Sequence, residues 1–552
     1  MKNILFIADF FLSDGILGGA ELYNENLLSY LYSKYKVQKI NSHNVTEEII
    51  LKNKNNLFIV SNFMNLSQIA KNKMQDLNIE YVILEHDHKY VSTNDPSKFV
   101  NMLAPRNKII NFNFFHKAKA VLCQSKIHSE TLQKNLLLDT VINLSCNLWS
   151  DEQIDLLVKN SNNQKKHKFA YLESANKNKG TPAAKFYCNK NSIDALAIKN
   201  MPQDEFYNTL SQVENLIFFP QWLESFNRLA VEAKLLGCKI ITNKLLGVSS
   251  EAWFRNSTPL ELPSILKDKR AKVFDTFDKI INDQKIDNLF IENISIPKIS
   301  IITSLYKGSK FIDNFMKNIV SQTFFDKCEL IILDANSPDK EYEDCIQKYE
   351  NIYSNIKYKK LKERLGVQET MNLAVKYSTG QFLTIANVDD LRNTNHIEFL
   401  AKLLAVNDNA DLVYAECYET KDIIPHSQVN NFRSSQLYEH STYEFSKQNM
   451  IKCLPGPMPM WRKSIHKTVG DFDKNLKYAA DWDFWLRAVR SGSKFLKFEK
   501  IMGIYYNNPK GLSTSKDNAL ERFQEEKLVF NKNKDVFGSL VSGHFEGYFN
   551  GK

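Results

Sequence analysis

Short apolar runs alternate with helix-length amphipathic segments along this chain, and that rhythm limits its architecture more than any other feature. The first runs fall at residues 4–8, 57–61, 81–84, 120–123 and 141–144. The pattern restarts at 169–172 and continues through 216–219 and 239–242. Strands separated by segments long enough for a helix predict parallel sheets covered by helices. A charged, partly helical stretch leads to Pro297, and a third series opens at 299–303, 329–333, 382–386 and 412–414. The sequence predicts an α/β protein of three units, 1–150, 165–290 and 297–552, with the Asn- and Lys-rich segment 160–168 as a hinge between the first two.

Bulk properties remove several function classes. A chain of 552 residues, 43% of them hydrophobic, has room for three or four domains with sizeable cores. Its net charge of +9 is scattered, with no basic stripe interleaved with aromatics. That argues for mild attraction to anionic substrates or an anionic membrane surface, and against nucleic-acid binding. The eight cysteines are far apart, with no C-x-x-C and no histidines at zinc spacing, so neither a disulfide framework nor a structural metal is expected. The start reads as a first strand ending in Asp9 rather than a signal peptide, and no run of eighteen apolar residues exists. The expectation is a cytoplasmic protein, at most peripheral to the cytoplasmic face of an inner membrane.

Two acidic clusters carry the chemistry. Asn387-Val388-Asp389-Asp390 closes the apolar run 381–386, and Asp481-Trp482-Asp483 follows about ninety residues later. Carboxylates at the carboxyl end of a buried strand sit where open α/β sheets bind ligands. Adjacent aspartates repel unless a cation or a proton relieves them. One reading is a divalent metal holding a nucleotide diphosphate, with a separate carboxylate left as a base. The other is a solvated turn, in which Asp and Asn are common. Asp483 also suits an ion pair with Arg487, four residues along a helix.

The flanking sequence favours the first reading. From Pro297 onward the chain resembles the family 2 glycosyltransferases, through five signals in order. These are a strand ending in small and aromatic residues (Ser300 to Tyr306); Leu330 to Asp334 with Ala335-Asn336-Ser337; a helix start at Gly366; the Asn387–Asp390 cluster; and Ala479 to Arg487. The resemblance implies a GT-A fold with donor contacts from Thr303, Tyr306, Asp334, Asn387 and Asp389, and a divalent cation (Mn or Mg) at Asp389 and Asn387. It also implies that Asp481 is the general base of an inverting transfer. Leu454 to Arg462 looks like the acceptor-side loop, which would give Trp461, Arg462 and Trp482 to the acceptor. The chain departs from the family at Asn387, where an Asp is usual. It departs again after Tyr505-Tyr506, where a metal-binding His is often found and Asn508 or a water is left to substitute.

Residues 1–290 resemble, less completely, the GT-B transferases of family 4. The signals are Gly18-Gly19-Ala20-Glu21 at a helix start, Glu85-His86-Asp87-His88 after a strand, Asn176 to Gly180 with Lys179 in a diphosphate-clamping position, and Glu224-x7-Glu232. The clamp's usual Arg partner is missing. The resemblance implies His86 and Glu224 as catalytic residues of a retaining transfer, with Lys179 and Glu232 on the donor. An inactive scaffold that binds only acceptor or partner is the alternative. A nucleotidyltransferase is disfavoured, since no glycine- and basic-rich triphosphate loop opens the chain. The expected protein transfers sugars from nucleotide-sugar donors to a glycan or lipid-linked glycan of a surface polysaccharide, such as a lipopolysaccharide O-chain or capsule. It has either one active site or two.

Overall fold

The computed structural model describes residues 3–16, 18–138, 141–199, 201–284, 286 and 294–550. They fall into two compact units, Met1–Asn293 and Ile294–Lys552.

The first unit holds two parallel sheets. One contains β1 (Asn3–Ala8), β2 (Lys36–Asn41), β3 (Leu57–Ser61), β4 (Tyr81–Leu84), β5 (Ala120–Cys123) and β6 (Val141–Asn143), in the order β2-β1-β3-β4-β5-β6. The other contains β7 (His167–Leu172), β8 (Leu196–Ile198), β9 (Val213–Phe218) and β10 (Lys239–Thr242), in the order β10-β9-β7-β8. Every residue of β3 and β4 is buried, which is why these strands read as unbroken apolar runs. One hydrophobic cluster runs from Ile4 and Phe6 through Leu148 and Trp149 to Leu216 and Phe218, so the two sheets share a core. The segment expected as a hinge, 160–168, lies between two regular elements. The helix Asp151–Ser161, capped by Ser150, enters it from one side, and β7 begins at His167.

The last long helix of this unit, Leu262–Ile281, returns to the helix Gly19–Lys34. Phe274 stacks on Tyr30 with ring centroids 3.9 Å apart. The Asp278 carboxylate accepts hydrogen bonds from the Tyr30 and Tyr35 hydroxyls (2.6 and 2.8 Å) and from Lys34 (2.7 Å).

The second unit is built on one mixed sheet of β11 (Ile299–Leu305), β12 (Cys328–Asp334), β13 (Ile356–Lys360), β14 (Phe382–Ile385), β15 (Leu391–Arg392), β16 (Leu412–Thr420), β17 (Met460–Arg462) and β18 (Phe495–Tyr506). The order is β13-β12-β11-β14-β17-β16-β18-β15. Strands β13, β12, β11 and β14 are parallel, and β17 runs antiparallel to both β14 and β16. Parallel alignment brings the carboxyl ends of β11, β12 and β14 to one edge, with Leu305 opposite Asp334. The loops that follow these three strands therefore converge, and they carry the family-like residues. No helix among the described residues is long and apolar enough to cross a membrane.

Candidate active site

The donor edge is assembled by the loops after β11 and β12. The buried carboxylate of Glu341 accepts from the Gly308 amide (2.8 Å) and the Ser337 hydroxyl (2.9 Å), and the Lys307 amide donates to that same hydroxyl (3.0 Å). Asp334 closes its own loop. One carboxylate oxygen accepts from the Ser337 amide and the other from the Tyr358 hydroxyl, both at 2.6 Å. Beside this loop Arg364 lies over the ring of Tyr306, 4.4 Å from its centroid, so Tyr306 presents a flat aromatic site with a cation against it. Thr303 is placed differently from expectation. It is fully buried inside β11, two residues short of the edge, and cannot touch a donor from there.

The acidic loop follows β14. Asn387 is exposed and donates to Asp390 (3.0 Å), whose other oxygen accepts from the Tyr506 amide (3.1 Å). Burial pushes the Asp390 carboxyl up to about 8, and the neighbouring Asp389 charge adds to the shift. Burial also raises Asp389, against a hydrogen bond from Asn508 at 3.5 Å. Two carboxyls held close together and lifted in pKa mark a place where positive charge is wanted.

Asp481 lies in the first turn of the helix Ala480–Arg490. It accepts from the Trp482 amide at 2.8 Å and from the Cys453 thiol at 3.6 Å, and burial raises its pKa. The approach to this helix is fixed by Glu525, which accepts from the amides of Lys477, Tyr478 and Ala479 at 2.5–2.8 Å. Two tyrosines join Asp481 to the acidic loop. Tyr505 feels the charges of Asp390 and Asp389, Tyr438 feels that of Asp481, and the two rings meet with centroids 4.7 Å apart. Asp483 is fully buried and points away into ion pairs with Arg487 (2.8 Å) and Lys532 (2.9 Å), the structural role its spacing suggested.

The acceptor-side expectations are corrected. Trp461 and Arg462 belong to β17, not to a loop. Trp461 is fully buried against Trp485, with ring centroids 5.4 Å apart. The Arg462 guanidinium donates to the carbonyls of Ala410, Leu404 and Asn407, and the residue pairs with Phe382 at the start of β14, the end away from the acidic loop. Trp482 is 7% exposed and donates its indole N–H to Met450. All three are packing residues, leaving no ring face or donor fork for a sugar.

Among the described residues no group of three or more His, Cys, Asp or Glu is arranged to hold a metal ion. The donor set nevertheless suits a hard cation, with the Asp389 and Asp390 carboxyls side by side and the side-chain amides of Asn508 and Asn387 hydrogen-bonded to them. Mg2+-type ions are commonly held by one or two carboxylates together with substrate phosphates rather than by a complete protein cage. The residues fit such a cation.

In the first unit, His86, Lys179, Glu224 and Glu232 line one cavity of about 750 Å3, with Gly18 and Gly19 at its wall. The residues singled out in the sequence here share one cavity. Lys179 and Glu224 pair with each other at 2.9 Å. Glu232 accepts from the Trp149 indole (2.9 Å) and lies 3.5 Å from Arg228, a cavity residue the spacing argument passed over. His86 sits between Ser61 (3.0 Å) and Gln124, and burial holds its pKa down at about 3, so the ring is neutral. Close backbone approach explains two glycines. A Cβ at Gly180 would overlap the Phe219 carbonyl, and one at Gly247 would overlap that of Glu224.

Residues 300–470 match Glycosyl transferase family 2. An uncharacterized glycosyltransferase of Methanocaldococcus jannaschii is 25% identical over 236 residues, 42% of this chain and 76% of that protein. A PGL/p-HBAD biosynthesis glycosyltransferase of Mycobacterium bovis is 24% identical over 231 residues, 40% of this chain and 81% of that protein. Among solved structures, S. aureus TarS in complex with UDP-GlcNAc is similar at 18% identity and a TM-score of 0.37, covering 45% of this chain and 73% of that one. A mannosyltransferase from Pyrobaculum calidifontis in complex with GDP-Man and Mn2+ is similar at 16% identity and a TM-score of 0.36, covering 50% and 77%. Asp389 lies within the matched span and Asp481 just beyond it. The carboxy-terminal unit thus carries a family 2 glycosyltransferase domain on its mixed sheet, and the chain is a glycosyltransferase.

Proposed function

We propose that the carboxy-terminal unit transfers a sugar with inversion onto a glycan or lipid-linked glycan of a cell-surface polysaccharide, with Asp481 as general base. The observation that carries this reading is the placement of Asp481 beyond the Tyr438–Tyr505 pair from the acidic loop, its pKa raised by burial toward that of a useful base.

In this reading the acceptor hydroxyl oxygen attacks the anomeric carbon as its proton passes to Asp481. The bond between that carbon and the diphosphate oxygen breaks, and the nucleoside diphosphate leaves with the bonding pair. Asp389, with Asn508 and Asn387, would hold the divalent cation, which supplies positive charge to the leaving diphosphate. Tyr306 with Arg364 offers a stacking face to the donor base, and the loop closed by Asp334 and Ser337 borders it. The side chains of Tyr438 and Tyr505 lie between the base and the acidic loop. A net charge of +9 suits a peripheral position at an anionic membrane surface, where a lipid-linked acceptor is presented.

The test is release of nucleoside diphosphate and formation of product from a panel of UDP-, GDP- and dTDP-sugars with extracted lipid-linked glycans. Loss of transfer in Asp481→Asn with nucleotide binding retained is the expected result. Full transfer by that variant would remove Asp481 as the base.

A further inference from the structure

The cavity of the amino-terminal unit takes no part in the reaction above, and its charges are already matched. Three cations line it, and each has a carboxylate partner. Lys179 pairs with Glu224 at 2.9 Å, Arg228 with Glu232 at 3.5 Å, and Lys199 with Glu173 at 4.0 Å. Asp87 adds a fourth carboxylate to the lining and is itself paired with the buried Lys89 at 3.0 Å. With His86 neutral, the lining carries no positive excess.

The helix start at Gly18-Gly19, which otherwise attracts anions, is served from within. The Glu21 carboxylate folds back so closely that a Cβ on Gly18 would overlap its Oε2. A nucleoside diphosphate, bringing two or more negative charges, would have to displace resident carboxylates from both positions.

What remains unpaired by charge is neutral and polar. Gln124, Ser174, Asn176, Gln203 and Asn227 line the cavity beside Phe206, with Met201 and Ile198 giving apolar surface. Side-chain amides and carboxylates match the in-plane hydroxyls of a pyranose, and an aromatic ring matches its C–H face. A volume of about 750 Å3 is within the range of small-molecule sites.

We infer that this cavity binds an uncharged segment of a glycan and excludes nucleoside diphosphates. It is a carbohydrate-holding site, not a second donor site. The donor roles that a GT-B likeness would give Lys179 and Glu232 are replaced by internal ion pairs that shape the cavity.

The experiment uses the full chain and two readouts. Nucleotide stoichiometry is measured by calorimetry with UDP, GDP and dTDP in the presence of Mn2+. Glycan binding is measured without nucleotide on an array of neutral oligosaccharides. One nucleotide per chain is expected, together with retention of a set of neutral glycans. Retention should weaken at least tenfold in Ser174→Trp, which fills the cavity, and in Phe206→Ala, with nucleotide stoichiometry and circular dichroism unchanged in both. Two nucleotides per chain, with the second lost in Lys179→Ala, would overturn the inference. So would an array on which no neutral glycan is retained, or retention unaffected by both variants.

Discussion

Tyr438 and Tyr505 meet ring against ring, 4.7 Å between centroids at an interplanar angle of 56°, between Asp481 on one side and Asp389 with Asp390 on the other. Residues far apart in the chain thus form one electrostatic neighbourhood. The proposed base and the proposed cation site lie on either side of this half-buried tyrosine pair, and burial raises the pKa of the acids.

Asp481→Asn keeps the shape and hydrogen-bonding reach of the side chain but cannot take a proton. Transfer should fall by about 10²–10⁴-fold, the usual contribution of a positioned general base. The nucleoside diphosphate dissociation constant should move little. Steady-state kinetics and a nucleotide titration on the same preparation separate the two effects.

Chelation should weaken nucleoside diphosphate binding, and Mn2+ should restore it. Asn508 lies 3.5 Å from Asp389, so Asn508→His would place a nitrogen donor beside that carboxylate. Apparent Mn2+ affinity, read by electron paramagnetic resonance in the presence of UDP or GDP, should then tighten several-fold. No change would place Asn508 outside the cation's reach.

Asp483 is fully buried between Arg487 and Lys532, and Asn533 is nearby at 3.5 Å. Asp483→Ala leaves both cations without their shared partner. The loss should be about 3 kcal/mol, at the low end for breaking a buried pair because the lysine stays partly solvated. Urea unfolding followed by tryptophan fluorescence would show it, since Trp482 and Trp485 lie on the same helix.

The first unit should be acid-sensitive. Burial holds His86 down at about 3 and His88 at about 4, against an ordinary value of 6.5. Both are neutral in the fold, whereas the unfolded chain takes up protons below about 6.5. Stability from these groups is therefore present above pH 6.5 and is lost as pH falls toward 4 and then 3. Melting temperatures between pH 7.5 and 5 should decline less steeply in His88→Gln than in the wild type.

Gly180 has φ of +72°, and a Cβ there would run into the Phe219 carbonyl. Gly180→Ala should cost at least about 2 kcal/mol through backbone strain and displacement of that strand end. Limited proteolysis compared with wild type would reveal it. Wild-type resistance would mean that the turn relaxes.

Strands were legible where burial on both faces makes them continuously apolar. The runs 57–61, 81–84 and 120–123 coincide with β3, β4 and β5. Charged strands on sheet edges were not. Strand β2, reading Lys-Val-Gln-Lys-Ile-Asn, and β13, reading Ile-Lys-Tyr-Lys-Lys, carry the charges that keep an open edge from pairing with other chains. Short β17 was hidden because Pro455, Pro457 and Pro459 just before it made the whole stretch read as a loop. Its tryptophan and arginine therefore looked available to a ligand when they are packed. Tyr438 and Cys453 went unseen for a related reason, as they lie in irregular segments that carry no periodicity.

By itself the sequence determined the α/β class, the family-like order of acidic signals and a few of the residues around the amino-terminal cavity. Those follow from local pattern, because hydrophobic period and residue type are written along the chain. Only the tertiary structure decided which polar groups are already satisfied. Lys179 is matched by Glu224 across 45 residues, and Arg462 by carbonyls more than 50 residues away. Hydrogen bonding and charge pairing depend on distance in space, and no spacing rule reports whether a partner has already claimed a side chain.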